Sequence, residues 1–197
     1  VQGKGVGIKM PRLVVFGDSL TYGHYLKNRT KTAWPFVLGK LLNLKVVNEG
    51  IPGIGNLEIL TKVLEYKFNR DDIVIIGWTY IHRETIFNKL LKNKSLSIWD
   101  NNDDSKSWIN LHSDYDLAIR SGLYIHHADL FLQTLGIKYH HFFLPQGRIK
   151  RPEWINKPKN WIDNQVMNRF DFADDKVHPG ITSHDRAAKE IYKVINE

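Results

Sequence analysis

Cysteine is absent from the 197 residues. That excludes disulfides and thiolate metal sites and is compatible with a reducing compartment without requiring one. Long hydrophobic runs are missing too. None approaches the roughly 18 apolar residues that a membrane helix needs, so no membrane span is expected. Methionine (2) and proline (7) are sparse, and no repeat or domain linker stands out. What remains is ordinary for a globular chain, 42% hydrophobic and 25% charged, and long enough for one domain with a real core.

Lysine and arginine (28) outnumber aspartate and glutamate (21), for a net charge of +7. Such an excess suits anionic partners, and equally a soluble surface of scattered lysines. Nucleic-acid binding would rest on charge alone and is not expected. The one local concentration is GRIKRPEWINKPKNW (147–161), with Arg148, Lys150, Arg151, Lys157 and Lys159 beside Trp154 and Trp161. Its composition fits a groove lining or a solvated excursion. Residues 1–9, rich in glycine and lysine, read as an expression remnant or flexible leader, with Met10 as the natural start. On that reading the protein is expected in the cytoplasm or in a virion or similar assembly. Secretion after removal of a peptide is compatible with the same sequence.

Short apolar runs alternate with helical patterns from residue 10 onward, as one domain spanning 10–197. RLVVFG (12–17), LKVVNEG (44–50), DIVIIG (72–77) and IKYHHFFLP (137–145) read as strands, the first three short and β-branched as in sheets buried on both faces. Helices are predicted over 33–43, 55–68, 113–136 and 181–196. Ser113 and Asp116 form a capping pair for the third and Gly136 its stop, and Thr182 and Asp185 stand in the same relation in the fourth. Segments 93–112 and 146–174 read as polar insertions. The alternation predicts an α/β fold, a parallel sheet covered on both faces, with ligands beyond the carboxyl ends of the strands.

Those ends carry the chemistry. Ser19 follows the first strand, Gly53 the second in NEGIPGIGN, and Gly77-Trp78-Thr79 closes the third. DDKVHPG supplies Asp175 and His178 before the last helix. An Asp-x-x-His loop lets the imidazole face a serine while the aspartate holds its far side, the arrangement that activates a hydroxyl at neutral pH. Alone, Ser19 would read as a helix cap, and Gly50 and Gly53 as turn glycines. The glycine run GIPGIG lacks the lysine and hydroxyl of a phosphate loop. The pairs His126–His127 and His140–His141 diverge on any helix or strand, so no metal site is expected.

Gly17-Asp18-Ser19-Leu20-Thr21-Tyr22-Gly23 resembles the first block of the SGNH, or GDSL, hydrolases. Asn48-x-Gly50-x-x-Gly53 is similar to their second block and Asp175-x-x-His178-Pro179 to their last. The resemblance runs in family order over nearly the whole chain. It implies a flavodoxin-like three-layer α/β/α sandwich and a carboxylic ester hydrolase working through an acyl-enzyme, without cofactor. Ser19 would be the nucleophile, His178 the base and Asp175 its orienting partner, with the backbone N–H groups of Ser19 and Gly53 in the oxyanion hole. The third block departs: Thr79 stands where the family places an asparagine whose carboxamide completes that hole, leaving the shorter reach of a hydroxyl.

Asp18, Asn56, Trp78, Tyr80 and Arg83 are further candidates for contacting substrate. Asp18 also suits bracing the loop, Trp78 suits core packing, and Arg83 suits pairing with Glu84 or another acid. The expected substrate is a small-molecule or glycan ester, with a short acyl or O-acetyl group as the first choice. The alternative is a catalytically weak or inactive carbohydrate- or surface-binding module within a larger assembly.

Overall fold

The computed structural model describes residues 10–87, 94–144, 157–162 and 166–197. The leader expected at 1–9, and residues 147–156 of the basic segment, lie outside them. In chain order the elements are β1 (Arg12–Phe16), the single turns α1 (Ser19–Tyr22) and α2 (Arg29–Thr32), α3 (Trp34–Leu42), β2 (Lys45–Asn48), α4 (Asn56–Glu65) and β3 (Ile73–Trp78). There follow β4 (Arg83–Ile86), β5 (Lys94–Ser97), α5 (Asp103–Leu111), α6 (Asp114–Leu135), β6 (Lys138–Phe143) and α7 (Ile181–Asn196).

Four strands form a parallel sheet in the order β2-β1-β3-β6. Side chains alternate across a strand, and β1 uses both faces. Leu13 and Val15 meet Trp34, Leu38, Ala187, Ala188 and Ile191 of α3 and α7. Val14 and Phe16 meet Ile59, Val63, Ile125, Ala128 and Leu132 of α4 and α6. That double burial explains why β1 and β3 read as unbroken apolar runs. The chain moves outward from β1 to β2 and then crosses to β3 on β1's other side. The crevice where ligands bind in such sheets therefore lies beyond Phe16 and Trp78.

The expected helices and strands are all present, with boundaries shifted by at most three residues. Ser113 caps α6 by accepting from the Asp116 N–H, and Gly136 ends it in a left-handed conformation. The cap expected from Thr182 and Asp185 is corrected. The N-cap of α7 is Gly180, without a side-chain bond, and the Asp171 carboxylate accepts from the N–H groups of Thr182 and Ser183 instead, each at 2.8 Å. The polar segment 93–112 folds into β5, paired antiparallel with β4, and helix α5, capped by Asn102. Within 146–174, Trp161 lies alongside His141 as a parallel bridge, extending the sheet past β6. No helix among the described residues is long and apolar enough to cross a membrane.

Two histidines, His141 and His184, are buried on this frame, and a third, His140, is half-buried. His184 accepts from the Trp34 N–H through Nδ1 at 3.1 Å, supplying the cap that α3 lacks, and burial pushes its pKa down to about 4. Burial, then the charges of Lys138 and His141, lowers His140 to about 4. His141 accepts from the Trp78 indole and is also lowered by burial, against the opposing pull of Asp129. Each imidazole takes up a proton near 6.5 when unfolded but only at lower pH when folded. Between those values the unfolded chain holds more protons, so stability is full above about 6.5 and is lost as pH falls toward 4. Urea midpoints should therefore drop between pH 7.5 and 5, and the drop should shrink in His184→Gln and in His140→Gln; equal slopes in wild type and both variants would refute this.

Candidate active site

The first site residue follows from how β1 ends. Asp18 caps α1, its Oδ1 accepting from the Leu20 N–H at 2.9 Å, which seats Ser19 as the first helical residue, 8% exposed. Asn48, at the end of β2, braces the same turn by donating to the Thr21 carbonyl at 2.9 Å and accepting from the Gly50 N–H at 3.0 Å. Gly50 must be glycine here, because a Cβ would lie 2.6 Å from the Tyr22 nitrogen. Gly53 adopts a left-handed φ of 84°, with open space where a side chain would stand. Among the described residues, the N–H groups of Ser19 and Gly53 have no hydrogen-bond partner.

The second part comes from 159 residues away. His178 Nε2 lies 3.1 Å from Ser19 Oγ, and His178 Nδ1 lies 2.6 Å from Asp175 Oδ2. A carboxylate can only accept, so Nδ1 carries the imidazole proton and Nε2 is left to accept from the serine hydroxyl. Asp175 Oδ1 accepts from the N–H groups of Val177 and His178. Burial pushes the Asp175 carboxyl up, but the hydrogen bonds from the His178 ring and these two N–H groups outweigh it and hold the carboxyl at about 2. The orienting group is thus ionised at any neutral pH.

The loop bearing this pair is pinned at its base. The Asp171 carboxylate takes the two N–H groups that open α7 and the Ser183 hydroxyl at 2.6 Å, while Ser183 Oγ accepts from the N–H groups of Phe170 and Asp171. Phe172 bridges Pro179, and the Ala173 N–H reaches the His178 carbonyl at 2.8 Å. Tyr25, in a left-handed conformation unusual for an aromatic residue, covers the imidazole with ring centres 5.3 Å apart, and His24 approaches it at 5.4 Å.

At the end of β3 the geometry departs from expectation. The Thr79 hydroxyl is fully buried and gives its one proton to Asp18 Oδ2 at 2.6 Å, so it has none for an oxyanion. Asn56 is committed as well. Its carboxamide pairs with the backbone N–H and carbonyl of Thr79 and donates to Ser121, fastening α4 to β3 away from the cleft. Trp78 is core, its indole N–H donating to His141 at 3.2 Å. Asp18 does not stand free either, because Arg83 Nη1 pairs with its Oδ2 at 3.0 Å. The acid that balances Arg83 is therefore Asp18, not Glu84.

A cleft of about 240 Å³ opens over Ser19 and His178, walled by the candidates Tyr80 and Arg83 and by Trp99 and Arg169, which sequence reasoning missed. Tyr80 and Trp99 meet edge to face at 4.5 Å, with the Arg83 guanidinium over both rings. A larger groove of about 590 Å³ at the opposite edge of the sheet, beside Tyr66, Phe68 and Phe131, holds no serine–histidine pair. No cluster of metal-ligating side chains occurs among the described residues.

The Asp171 clamp generates an expectation of its own. Asp171→Ala should cost about 1–2 kcal/mol in urea unfolding, as for loss of a helix cap, and should speed hydrogen exchange in 173–180 more than in the sheet. Uniform exchange changes would show that the clamp does not hold this loop.

No protein-family model matches the sequence, and no curated protein matches it either. Solved structures do match. An acetyl xylan esterase from the rumen bacterium Butyrivibrio proteoclasticus superposes with a TM-score of 0.65 at 13% identity, over 97% of this chain and 65% of its own. An acetylxylan esterase from Geobacillus stearothermophilus gives 0.58 at 15% identity, over 95% and 94%. A lipolytic protein of the G-D-S-L family from Veillonella parvula gives 0.56 at 12% identity, over 95% and 99%. The resemblance drawn from the sequence blocks is met in three dimensions: the chain has the α/β/α fold of the GDSL, or SGNH, hydrolases.

Proposed function

We propose that this protein is a serine hydrolase of carboxylic esters, with Ser19 as nucleophile, His178 as general base and then acid, and Asp175 as the group that orients and charge-balances the imidazole. The observation that carries this reading is the unbroken relay from Ser19 Oγ to His178 Nε2 at 3.1 Å and from Nδ1 to Asp175 at 2.6 Å, at the floor of an open cleft. Ser19 Oγ attacks the ester carbonyl while its proton passes to Nε2. The tetrahedral intermediate collapses as the imidazolium returns that proton to the leaving alkoxide, and an acyl-Ser19 ester remains. Water, deprotonated by the same nitrogen, releases the acid and restores the serine.

Charge on the oxyanion falls to the N–H groups of Ser19 and Gly53, both without partners among the described residues. With the Thr79 hydroxyl committed to Asp18, the site lacks the side-chain donor that its fold relatives' family provides. One such donor is worth about 3 kcal/mol, or on the order of a hundredfold in rate. Turnover on simple esters should be correspondingly modest.

The substrate class we infer is a short-acyl ester of a polar alcohol, an O-acetylated carbohydrate in the first instance. The cleft is too small to enclose a long acyl chain, its walls are aromatic and cationic, and two of its fold relatives are described as acetylxylan esterases. Wild-type protein should hydrolyse a para-nitrophenyl acetate, and Ser19→Ala should fall to background. A fluorophosphonate should label wild type at Ser19. Asp175→Asn, which misplaces the imidazole proton, should lower kcat by about three orders of magnitude or more. Background rates in wild type and Ser19→Ala alike, with no labelling, would overturn the hydrolase reading in favour of a binding module.

A further inference from the structure

The cleft over Ser19 carries more positive charge than attack on a neutral ester requires. Among the described residues, Asp18 is the one acid in its lining, against the two guanidinium groups of Arg83 and Arg169. Asp18 and Arg83 form a pair at 3.0 Å with Asp18 only 1% exposed, so those two charges cancel where they stand. Asp175 lies behind His178, its carboxylate occupied by the imidazole and two backbone N–H groups. Arg169 has no carboxylate within ion-pair distance among the described residues, and its guanidinium lies over the Phe172 ring at 5.5 Å and near enough to Tyr80 for its charge to be felt there. It is exposed, whereas Ser19 and Asp18 are buried, so it stands at the mouth of a cleft whose floor is the nucleophile.

A guanidinium placed this way offers a planar fork of N–H donors suited to a carboxylate. Tyr80 and Trp99 wall the same cleft and exclude part of the water that would screen such a contact. Distance from the floor fixes which part of the ester reaches it. With a short acyl group at Ser19, the group at the mouth belongs to the alcohol portion.

We propose that Arg169 is a substrate-binding residue that selects esters whose alcohol portion carries a carboxylate. This rests on the hydrolase reading for its chemistry but not for its binding. Two aryl acetates of nearly equal shape separate the cases: para-acetoxybenzoate, an anion, and para-acetoxybenzamide, which is neutral. Taking kcat/KM for the anion over that for the amide in each enzyme form cancels their differing reactivity between variants. That ratio should fall about fivefold from wild type to Arg169→Gln, the scale of a solvent-accessible charge contact. It should be partly retained in Arg169→Lys, and added salt should weaken it in wild type and Arg169→Lys but not in Arg169→Gln.

A turnover-free arm uses Ser19→Ala with and without Arg169→Gln, titrated with both compounds by NMR. The anion should bind more tightly than the amide, and the difference should vanish with Arg169. An unchanged ratio in Arg169→Gln, together with equal binding of anion and amide, would overturn the proposal. Absence of Ser19-dependent turnover with the binding difference intact would instead overturn the hydrolase reading and leave the anion site standing.

Discussion

Asp18 is a charged group with almost no access to water, and the site is arranged around satisfying it. One oxygen caps α1 through the Leu20 N–H, and the other takes the Thr79 hydroxyl and the Arg83 guanidinium. Three pieces of chain are thereby fixed to one carboxylate: the turn that presents Ser19, the end of β3 and the start of β4. Losing Arg83 would leave a buried charge without its counterion, which costs several kcal/mol. The same requirement explains Thr79. A hydroxyl whose one proton goes to an inner carboxylate cannot also donate to an oxyanion, and a carboxamide there would have to fit a space that is fully buried.

The second half of the site obeys a different logic. Parallel strand ends place Ser19 and Gly53 at one edge of the sheet, but nothing in the sheet itself supplies a base. His178 arrives on a turn closed by hydrogen bonds between Asp171, Ser183 and the opening of α7, and α7 is itself packed on α3 through Ala187, Ala188 and Ile191. The position of the imidazole is therefore set by helix packing on one face of the sheet, and the position of the hydroxyl by strand pairing within it. The two meet at 3.1 Å because β1 is common to both.

Much of this was legible in the sequence, for identifiable reasons. Runs such as LVVF and IVII announce strands buried on both faces, and Ser113 and Gly136 mark the ends of α6 by local chemistry alone. The serine, histidine and aspartate stood out only jointly, as blocks in family order at successive strand ends, since each alone has a blander use. What escaped was either non-local or unpatterned. Asp171 caps a helix beginning ten residues later, a relation no short motif encodes. Strands β4 and β5 are short, polar and partly exposed, so no period of two separates them from loop. Asn56 and Trp78 looked available in one dimension and are consumed by tertiary bonds to Thr79 and His141. Trp99 and Arg169 sit in segments without periodicity, and only folding brings them to the cleft.

The separation of 159 residues between hydroxyl and imidazole has a consequence for the life of the molecule. During synthesis the serine emerges from the ribosome early and the histidine late, so a partly made chain carries an ordinary alcohol and no acyl acceptor. Under the proposed mechanism, the hydroxyl gains its base only when α7 docks against α3. On the same reading, any later event that peels that helix away, by heat, acid or proteolysis, parts the imidazole from the serine.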